Sequence, residues 1–166
     1  MDAIFERASV RRFTEEDVDD RAVERLLRAA MAAPSAGDQR PWEFYVVRDA
    51  GLRGRLAEAS PFSKSAAAAP VVVVPCMRAE GLRFPECVEQ DMSAATENLL
   101  LEAVEQGLGA VWMAVAPLAD RQLRVVRALD LPEGLRAFAL VAVGHPAGEV
   151  RPRGAERYDA ARVHER

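Results

Sequence analysis

The sequence predicts a fold that mixes helices and strands, of the α+β or α/β class, with about four strands. The chain has 166 residues, of which 50% are apolar and 29% charged, a balance typical of a folded domain rather than a disordered chain. Segments with the apolar spacing of a helix are interleaved with short runs typical of strands. A chain of this length can bury a core without disulfides, so we expect one domain over residues 1–166.

The first part of the chain predicts two helices, a loop and a strand. Residues 2–8 form a short leading helix, and residues 19–33 form a longer one with apolar residues every three or four positions. Acidic residues at the start of the second helix suit its dipole, and Pro34 ends it. Residues 34–41 contain two prolines and a glycine and predict a loop. Residues 42–47 are aromatic or β-branched at most positions and predict a strand.

The middle of the chain predicts a short helix, a buried strand and a long helix. Residues 51–60 are interpreted as the short helix. Residues 71–74 are four valines between two prolines, and this continuous apolar run predicts a buried strand. Residues 89–106 are the strongest helix prediction, bounded by Gly107, with apolar residues on nearly every side. Such a helix is buried in the core or at an interface.

The last part of the chain predicts two strands around a helix, followed by a polar tail. Residues 110–115 and 137–143 are the strands, and the second is closed by a glycine. Residues 120–129 are the helix, with Asp120 as its N-cap. Residues 145–166 have too little apolar content for a core of their own, so we expect this tail to lie on a surface, that of a partner subunit.

Charge, cysteine and histidine content argue against several functional classes. The formal net charge of −4 argues against a nucleic-acid partner, and no apolar run approaches the about 20 residues needed to cross a membrane. Cys76 and Cys87 form no C-x-x-C pair and are interpreted as buried structural thiols of a cytoplasmic protein. With His145 and His164 they do not make a metal site. No nucleophile elbow or Walker loop is present, so we expect a bound organic cofactor to carry the chemistry.

Two segments have patterns that suit a cofactor. Arg7, Ser9 and Arg11 alternate, so an extended chain would project all three to one side as a phosphate cradle. The alternative is a surface arginine cluster at a helix end, which the spacing alone favours. Residues 33–42 lead from a helix through a Pro-Ser-Ala-Gly turn into a strand, and small residues there allow close approach to a flat ligand. The alternative to a ligand-binding loop is an ordinary connection between a helix and a strand, with Trp42 in the core.

Together these segments resemble the nitroreductase family of FMN-dependent oxidoreductases. The family begins with an R-x-S-x-R-x-F/Y segment, followed about twenty residues later by A-P-S-x-x-N/D-x-Q/R-P-W. Residues 91–112 are similar to the family's long central helix and its G-L-G exit. Residues 143–146 and the later Arg151-Pro-Arg153 are similar to its V-G-x-P end strand and basic tail. Four weak motifs in the family's order make a specific resemblance across nearly the whole chain.

The resemblance implies an α+β fold with a mixed or antiparallel central sheet, and an obligate homodimer with two FMN at its interface. Arg7 and Ser9 would hold the phosphate and ribityl chain, Arg11 the N1/O2 edge of the ring, and Arg151 and Arg153 would close on the phosphate. Pro34, Ser35 and Ala36 would come from the other subunit, and the Ala114 N–H would sit near flavin N5 beside Met113. Asp38 and Arg40 stand where Asn and Gln are commoner, and either touch FMN or pair with each other.

The activity implied is that of an FMN-dependent NAD(P)H oxidoreductase. NADH or NADPH would pass hydride to flavin N5 and leave, and a small-molecule acceptor, nitroaromatic or quinone, would then take the electrons. Three alternatives stay open: a dehalogenase or flavin-degrading relative of the same fold, a flavin-binding dimeric module with little catalysis, and a cofactor-free interaction domain. The short segment 76–86 indicates an open or differently shaped substrate pocket.

Overall fold

The computed structural model describes residues 2–152 and 154–166, and within them six helices and five strands. The helices are α1 (Ala3–Glu6), α2 (Asp20–Met31), α3 (Ala50–Ala57), α4 (Ser65–Ala68), α5 (Val88–Glu105) and α6 (Ala119–Leu129). The strands are β1 (Trp42–Val47), β2 (Val71–Arg78), β3 (Gly109–Ala114), β4 (Leu135–Ala137) and β5 (Ala139–Gly144). Short 3-10 turns lie at Ala36–Asp38, Pro85–Cys87, Ala155–Arg157 and Ala160–Arg162.

The strands form one sheet in the order β1-β2-β5-β3, with β4 pairing β2 beside β5. Every pair of strands is antiparallel, with Tyr45 opposite Val74 and Trp112 opposite Val141. Helices flank the sheet, which confirms the predicted α+β fold. Because β2 is buried from Val71 to Met77, its sequence is continuously apolar rather than alternating.

Alternate residues of β2 contact helices on opposite faces of the sheet. Val72 belongs to a buried cluster with Leu56 of α3 on one face. Val73 belongs to a second cluster with Leu99 of α5 on the other face. The period of two along a strand therefore divides the core into two halves, one on each side of the sheet.

Helices α2 and α5 pack along one another on the second face. Asp19 caps the start of α2, and the acids around it lie where the helix dipole favours them, as predicted. Arg25 forms an ion pair with Glu102 (2.7 Å), and the Asn98 amide donates to the carbonyl of Ala29 (3.1 Å). Although α5 is the longest helix, no helix in the described part of the chain is long and apolar enough to cross a membrane.

The prediction that a proline ends the buried strand after residue 74 is wrong, because β2 continues through Pro75 to Arg78. The Phe138 N–H donates to the Pro75 carbonyl (2.9 Å). The backbone nitrogen and carbonyl of one strand residue point to the same side of the strand. The N–H group that Pro75 lacks would therefore face Phe138, at the break between β4 and β5. At that break the sheet tolerates the missing donor.

Three other expectations need correction. The helix α4 and the strand β4 were not predicted, so the sheet has five strands rather than about four. The predicted strand 137–143 is divided, because Phe138 interrupts the ladder between β4 and β5. Asp120 is not the N-cap of α6; Leu118 holds that position, and Asp120 lies in the first turn, where the helix dipole still favours an acid.

Candidate functional site

A short extended segment, residues 8–14, follows α1 along the edge of the sheet. Val10 donates its N–H to the carbonyl of Ala110 in β3 (3.0 Å), and Ser9 forms a parallel bridge with the same residue. Thr14 donates to the carbonyl of His145 just beyond β5 (2.9 Å). These bonds hold the segment at the end of the sheet where β3 begins and β5 ends.

This segment and the start of the C-terminal tail line an open cavity of ≈ 210 Å³. The residues that line it include Arg11, Arg12 and Arg151, together with Ser9. Glu149, also in the wall, pairs with Arg151 (2.8 Å). The charged residues of the wall therefore leave an excess of two positive charges. Several guanidinium forks beside a hydroxyl are the chemistry that binds a phosphate.

Arg7 points elsewhere and does not line this cavity. It follows the last residue of α1, and its guanidinium forms an ion pair with Glu97 of α5 (Nε–Oε1 3.1 Å). The Arg7 side chain is only 23% exposed. The alternation of Arg7, Ser9 and Arg11 thus does not place all three on one wall, because the helix end directs Arg7 towards α5.

The loop between α2 and β1 is tied to the start of α5. Asp91, a buried carboxylate of α5, accepts from the N–H of Ala36 (2.9 Å) and from the side-chain amide of Gln39 (2.7 Å). The Ser35 hydroxyl accepts from the N–H of Arg40 (3.0 Å). The loop that carries the predicted ring-lining residues is therefore a fixed structure rather than a free connection.

Asp38 and Arg40 pair with each other, the second of the two arrangements that the sequence allows. Arg40 donates from Nε and Nη2 to the two oxygens of Asp38 (2.7 and 2.5 Å). This hydrogen bond lowers the pKa of the Asp38 carboxyl and raises the pKa of Arg40. Both side chains are exposed, so the pair stands at the surface of the loop.

The far end of β3 presents a different surface. Met113 is buried in the core, whereas Ala114 is exposed. Arg121 donates to the Ala114 carbonyl (3.0 Å), and its guanidinium lies 5.7 Å from the ring centroid of Phe62. The Phe62 side chain is 75% exposed. An aromatic ring and a cation therefore border the exposed end of this strand.

One chain does not bring all the predicted site residues together. Ser9, Arg11 and Arg151 line the cavity. Pro34, Ser35, Ala36, Asp38 and Arg40 lie in the loop at the start of α5, and Met113 and Ala114 lie at the far end of β3. Ser9 adjoins Ala110, so about 13 Å of strand separates the cavity from Ala114. Arg153 lies outside the described residues.

Three residues that line the cavity or hold the loop were not predicted as site residues. Arg12 lines the cavity, and its position directly after Arg11 was the available signal. Asp91 was noted only as the start of the central-helix motif, and Gln39 only as part of the loop motif. Nothing in the local sequence shows that a carboxylate at position 91 is buried, since its partners lie more than 50 positions away.

The cysteines lie apart from the cavity. Cys76 is fully buried in β2, and this burial, with a smaller contribution from Glu43, raises the pKa of its thiol to about 12. Cys87 is only partly buried, so the expectation of two buried thiols is correct for Cys76 and wrong for Cys87. Cys76 is protonated at neutral pH and therefore unreactive in the folded protein.

Comparison with known sequences finds matches over nearly the whole chain. The profile described as the nitroreductase family matches residues 4–67 and 61–145. A protein of Methanothermobacter thermautotrophicus, provisionally named NADH dehydrogenase/NAD(P)H nitroreductase, is 35% identical over 164 residues, 99% of this chain and 85% of the relative. The 5,6-dimethylbenzimidazole synthase of Rhodospirillum rubrum is 30% identical over an alignment of 181 positions, gaps included, which covers 90% of this chain and 83% of that protein.

Comparison with solved structures finds the same architecture. A crystal structure from Clostridium acetobutylicum, provisionally named an NADH oxidase, has a TM-score of 0.93 and 38% identity, covering 98% of each chain. A provisionally named nitroreductase of Desulfovibrio desulfuricans, solved in complex with FMN, has a TM-score of 0.80 and 32% identity. That match covers 95% of this chain and 94% of the other.

Proposed function

The chain belongs to the nitroreductase family, and from this premise we propose that it is a cytoplasmic, FMN-dependent oxidoreductase. It takes electrons from NADH or NADPH and passes them to a small-molecule acceptor, a nitroaromatic compound or a quinone. The observation that carries the proposal is the cationic cavity between residues 8–12 and 146–151. Neither a nucleic acid nor a membrane takes part in this reaction.

The residues of the cavity suit the phosphate end of FMN. Three arginines and one serine line a space of ≈ 210 Å³. Sites for whole cofactors usually measure about 300–1,000 Å³, so this space suits the phosphate and the adjoining chain but not the ring. The ring of a bound FMN would therefore lie on the outer surface of this chain and need a second wall.

We propose that a second copy of the chain supplies this wall in a homodimer. Apolar side chains are exposed on α1 and on the tail: Ile4 is 65% exposed, Phe5 50% and Tyr158 76%. Exposed apolar groups of this kind often mark an interface. The loop with Pro34, Ser35 and Ala36, which lies away from the cavity of its own chain, would line the ring held by the partner.

Within this site, each residue has a simple electrostatic task. Arg11 and Arg12 neutralise the phosphate, and the Ser9 hydroxyl donates to it. Arg151 would exchange Glu149 for the phosphate. The family resemblance assigns Arg11 to the N1/O2 edge of the ring, where a cation would stabilise negative charge; its place in the cavity supports the phosphate role instead. FMN, when bound, supplies the two-electron chemistry that the side chains lack. The roles of Met113, Ala114 and Arg153 stay those that the family resemblance implies. Arg7, which is paired with Glu97, has no place in this phosphate site.

The visible absorption spectrum of the purified protein tests this proposal. We expect a two-banded flavin spectrum that bleaches when NADH or NADPH is added without oxygen and returns when menadione, a quinone, is added. Arg11→Ala should weaken FMN binding at least about tenfold, because a hydrogen bond to a charged group is lost. Arg124→Ala, at an exposed arginine of α6, is the matched control. A colourless protein that fails to bind added FMN would refute the proposal.

The likeness to a 5,6-dimethylbenzimidazole synthase favours a second candidate, a flavin-degrading relative of the same fold. The product of that enzyme carries the dimethyl-substituted ring that flavin also contains. Recovery of FMN after prolonged aerobic turnover separates the two candidates, since a reductase leaves the FMN intact and a flavin-degrading enzyme consumes it. A flavin spectrum that neither nicotinamide bleaches would indicate a flavin-binding module with little catalysis.

A further inference from the structure

Asp91 is a buried carboxylate whose partners are all neutral. It is 5% exposed, and its two oxygens accept from the Ala36 N–H (2.9 Å) and from the Gln39 amide (2.7 Å). The ion pairs of the described residues do not include Asp91. Burying a charge costs free energy that an aliphatic side chain would avoid, so a carboxylate here implies a task beyond packing.

Gln39 extends the influence of Asp91 to a third segment. Its amide nitrogen also donates to the carbonyl of Phe84 (3.0 Å), and its amide oxygen accepts from the Phe84 N–H (3.0 Å). The side chain of Gln39 therefore pairs with the backbone at Phe84 as a neighbouring strand would. One buried carboxylate thus orients an amide that joins the loop, the segment before α5, and α5 itself.

The loop that this network holds has an unfavourable backbone. Asp38 and Arg40 have φ values of 55° and 45°, in the left-handed region, and Gly37 has 55°. Such a conformation costs roughly 1 kcal/mol or more at a non-glycine residue and persists only where the surroundings enforce it. A Cβ at Gly37 would lie 2.6 Å from the Phe84 ring, so this ring packs directly against the backbone of the loop.

We propose that Asp91, acting through Gln39, is a positioning residue that holds loop 34–40 in the conformation that meets the cofactor ring. This inference rests on the proposed function, because the ring is that of FMN. Asp91 does not touch the ring; it fixes the backbone of residues that do. Loss of the network lets the loop relax, and the cofactor then binds more weakly because the loop must be ordered at the moment of binding.

The substitution Asp91→Asn tests the network with almost no change in volume. Asparagine offers one acceptor oxygen where aspartate offers two, so the variant loses either the bond from the Ala36 N–H or the bond from Gln39. In the second case Gln39 either stays without this acceptor or turns and loses both bonds to Phe84. The double variant Asp91→Asn/Gln39→Glu reverses donor and acceptor and keeps one buried charge. It restores the bond between the two side chains and the bond to the Phe84 N–H, but it places a carboxylate oxygen against the Phe84 carbonyl, where two acceptors repel each other.

Two measurements read the result. Without FMN, we expect the amide of Ala36 to exchange its hydrogen at least about tenfold faster in Asp91→Asn than in the wild type, at equal global stability. With FMN, fluorescence quenching should show a Kd about tenfold higher, and the double variant should recover part of the loss. Glu105→Gln, an exposed acid-to-amide change on the same helix, is the control. If Asp91→Asn does not fold, Gln39→Met, at a partly exposed position, tests the same network.

The outcomes separate this inference from the proposed function. A wild-type protein that binds no FMN refutes the proposed function before any variant is made. A wild type that binds FMN, together with an Asp91→Asn variant of unchanged Kd and unchanged amide exchange, overturns the positioning role alone. A variant that is less stable but binds FMN as tightly would show that Asp91 is merely structural, which also overturns the inference.

Discussion

Gly109 is the position at which the structure predicts the sharpest effect of a single methyl group. It is the first residue of β3, fully enclosed, and lies against Val10 of the extended segment. A Cβ built on Gly109 would lie 2.7 Å from both Cβ and Cγ1 of Val10 and 2.9 Å from its Cγ2. Because atoms cannot approach this closely, Gly109→Ala must push the segment that carries Ser9 and Arg11 away from the sheet.

The expected cost follows from two contributions. Overpacking costs roughly 1–3 kcal/mol, and loss of the bond from the Val10 N–H to Ala110 costs roughly 0.5–1.5 kcal/mol. Replacing a glycine also lowers the conformational entropy of the unfolded chain, which offsets about 0.4–1 kcal/mol of this loss of stability. The net loss is about 2 kcal/mol, which lowers the Tm of a chain of this size by about 4–8 °C.

Thermal unfolding followed by circular dichroism measures this loss. Gly54→Ala in α3 is the matched control, because a Cβ there meets nothing within 4 Å, and we expect it to be neutral or stabilising. The double variant Gly109→Ala/Val10→Gly removes the clash, so its loss should be smaller than the sum of the two single losses. An unchanged Tm for Gly109→Ala, or strict additivity in the double variant, would refute the close approach of the segment to β3.

Three further changes test other parts of the structure. The pKa of Cys76 is raised to about 12, so its thiol ionises first in the unfolded chain, and stability should fall as pH rises from about 9 towards 12. Cys76→Ala should reduce this slope in urea titrations, and the part that remains should come from Tyr45, whose pKa is also raised by burial. The pKa of Asp38 is lowered by Arg40, so the pair is lost only as pH falls through that lowered value, and Arg40→Ala should move the NMR titration of Asp38 upward. Leu99→Ala should cost about 3 kcal/mol in urea unfolding, whereas Leu123→Ala, at a half-exposed position, should cost little.

Much of the secondary structure could be predicted from the sequence, because its causes are local. The spacing of apolar residues placed α5 within one residue of its observed bounds, and the aromatic and β-branched run at 42–47 coincides with β1. The predicted start of the second helix at residue 19 lies one residue before the observed start of α2. Elements without such a pattern were missed: α4 is a single turn of small residues, and β4 is three residues long.

The four motifs and their order along the chain were sufficient to predict the family and the segments that form the candidate site. The tertiary structure alone decided the partner of each side chain in those segments. Arg7 is paired with Glu97, 90 positions along the chain, and Asp91 is buried by a loop more than 50 positions before it. Spacing along a chain determines which face of an element a residue occupies, but burial and charge pairing depend on elements that meet only when the sheet has formed.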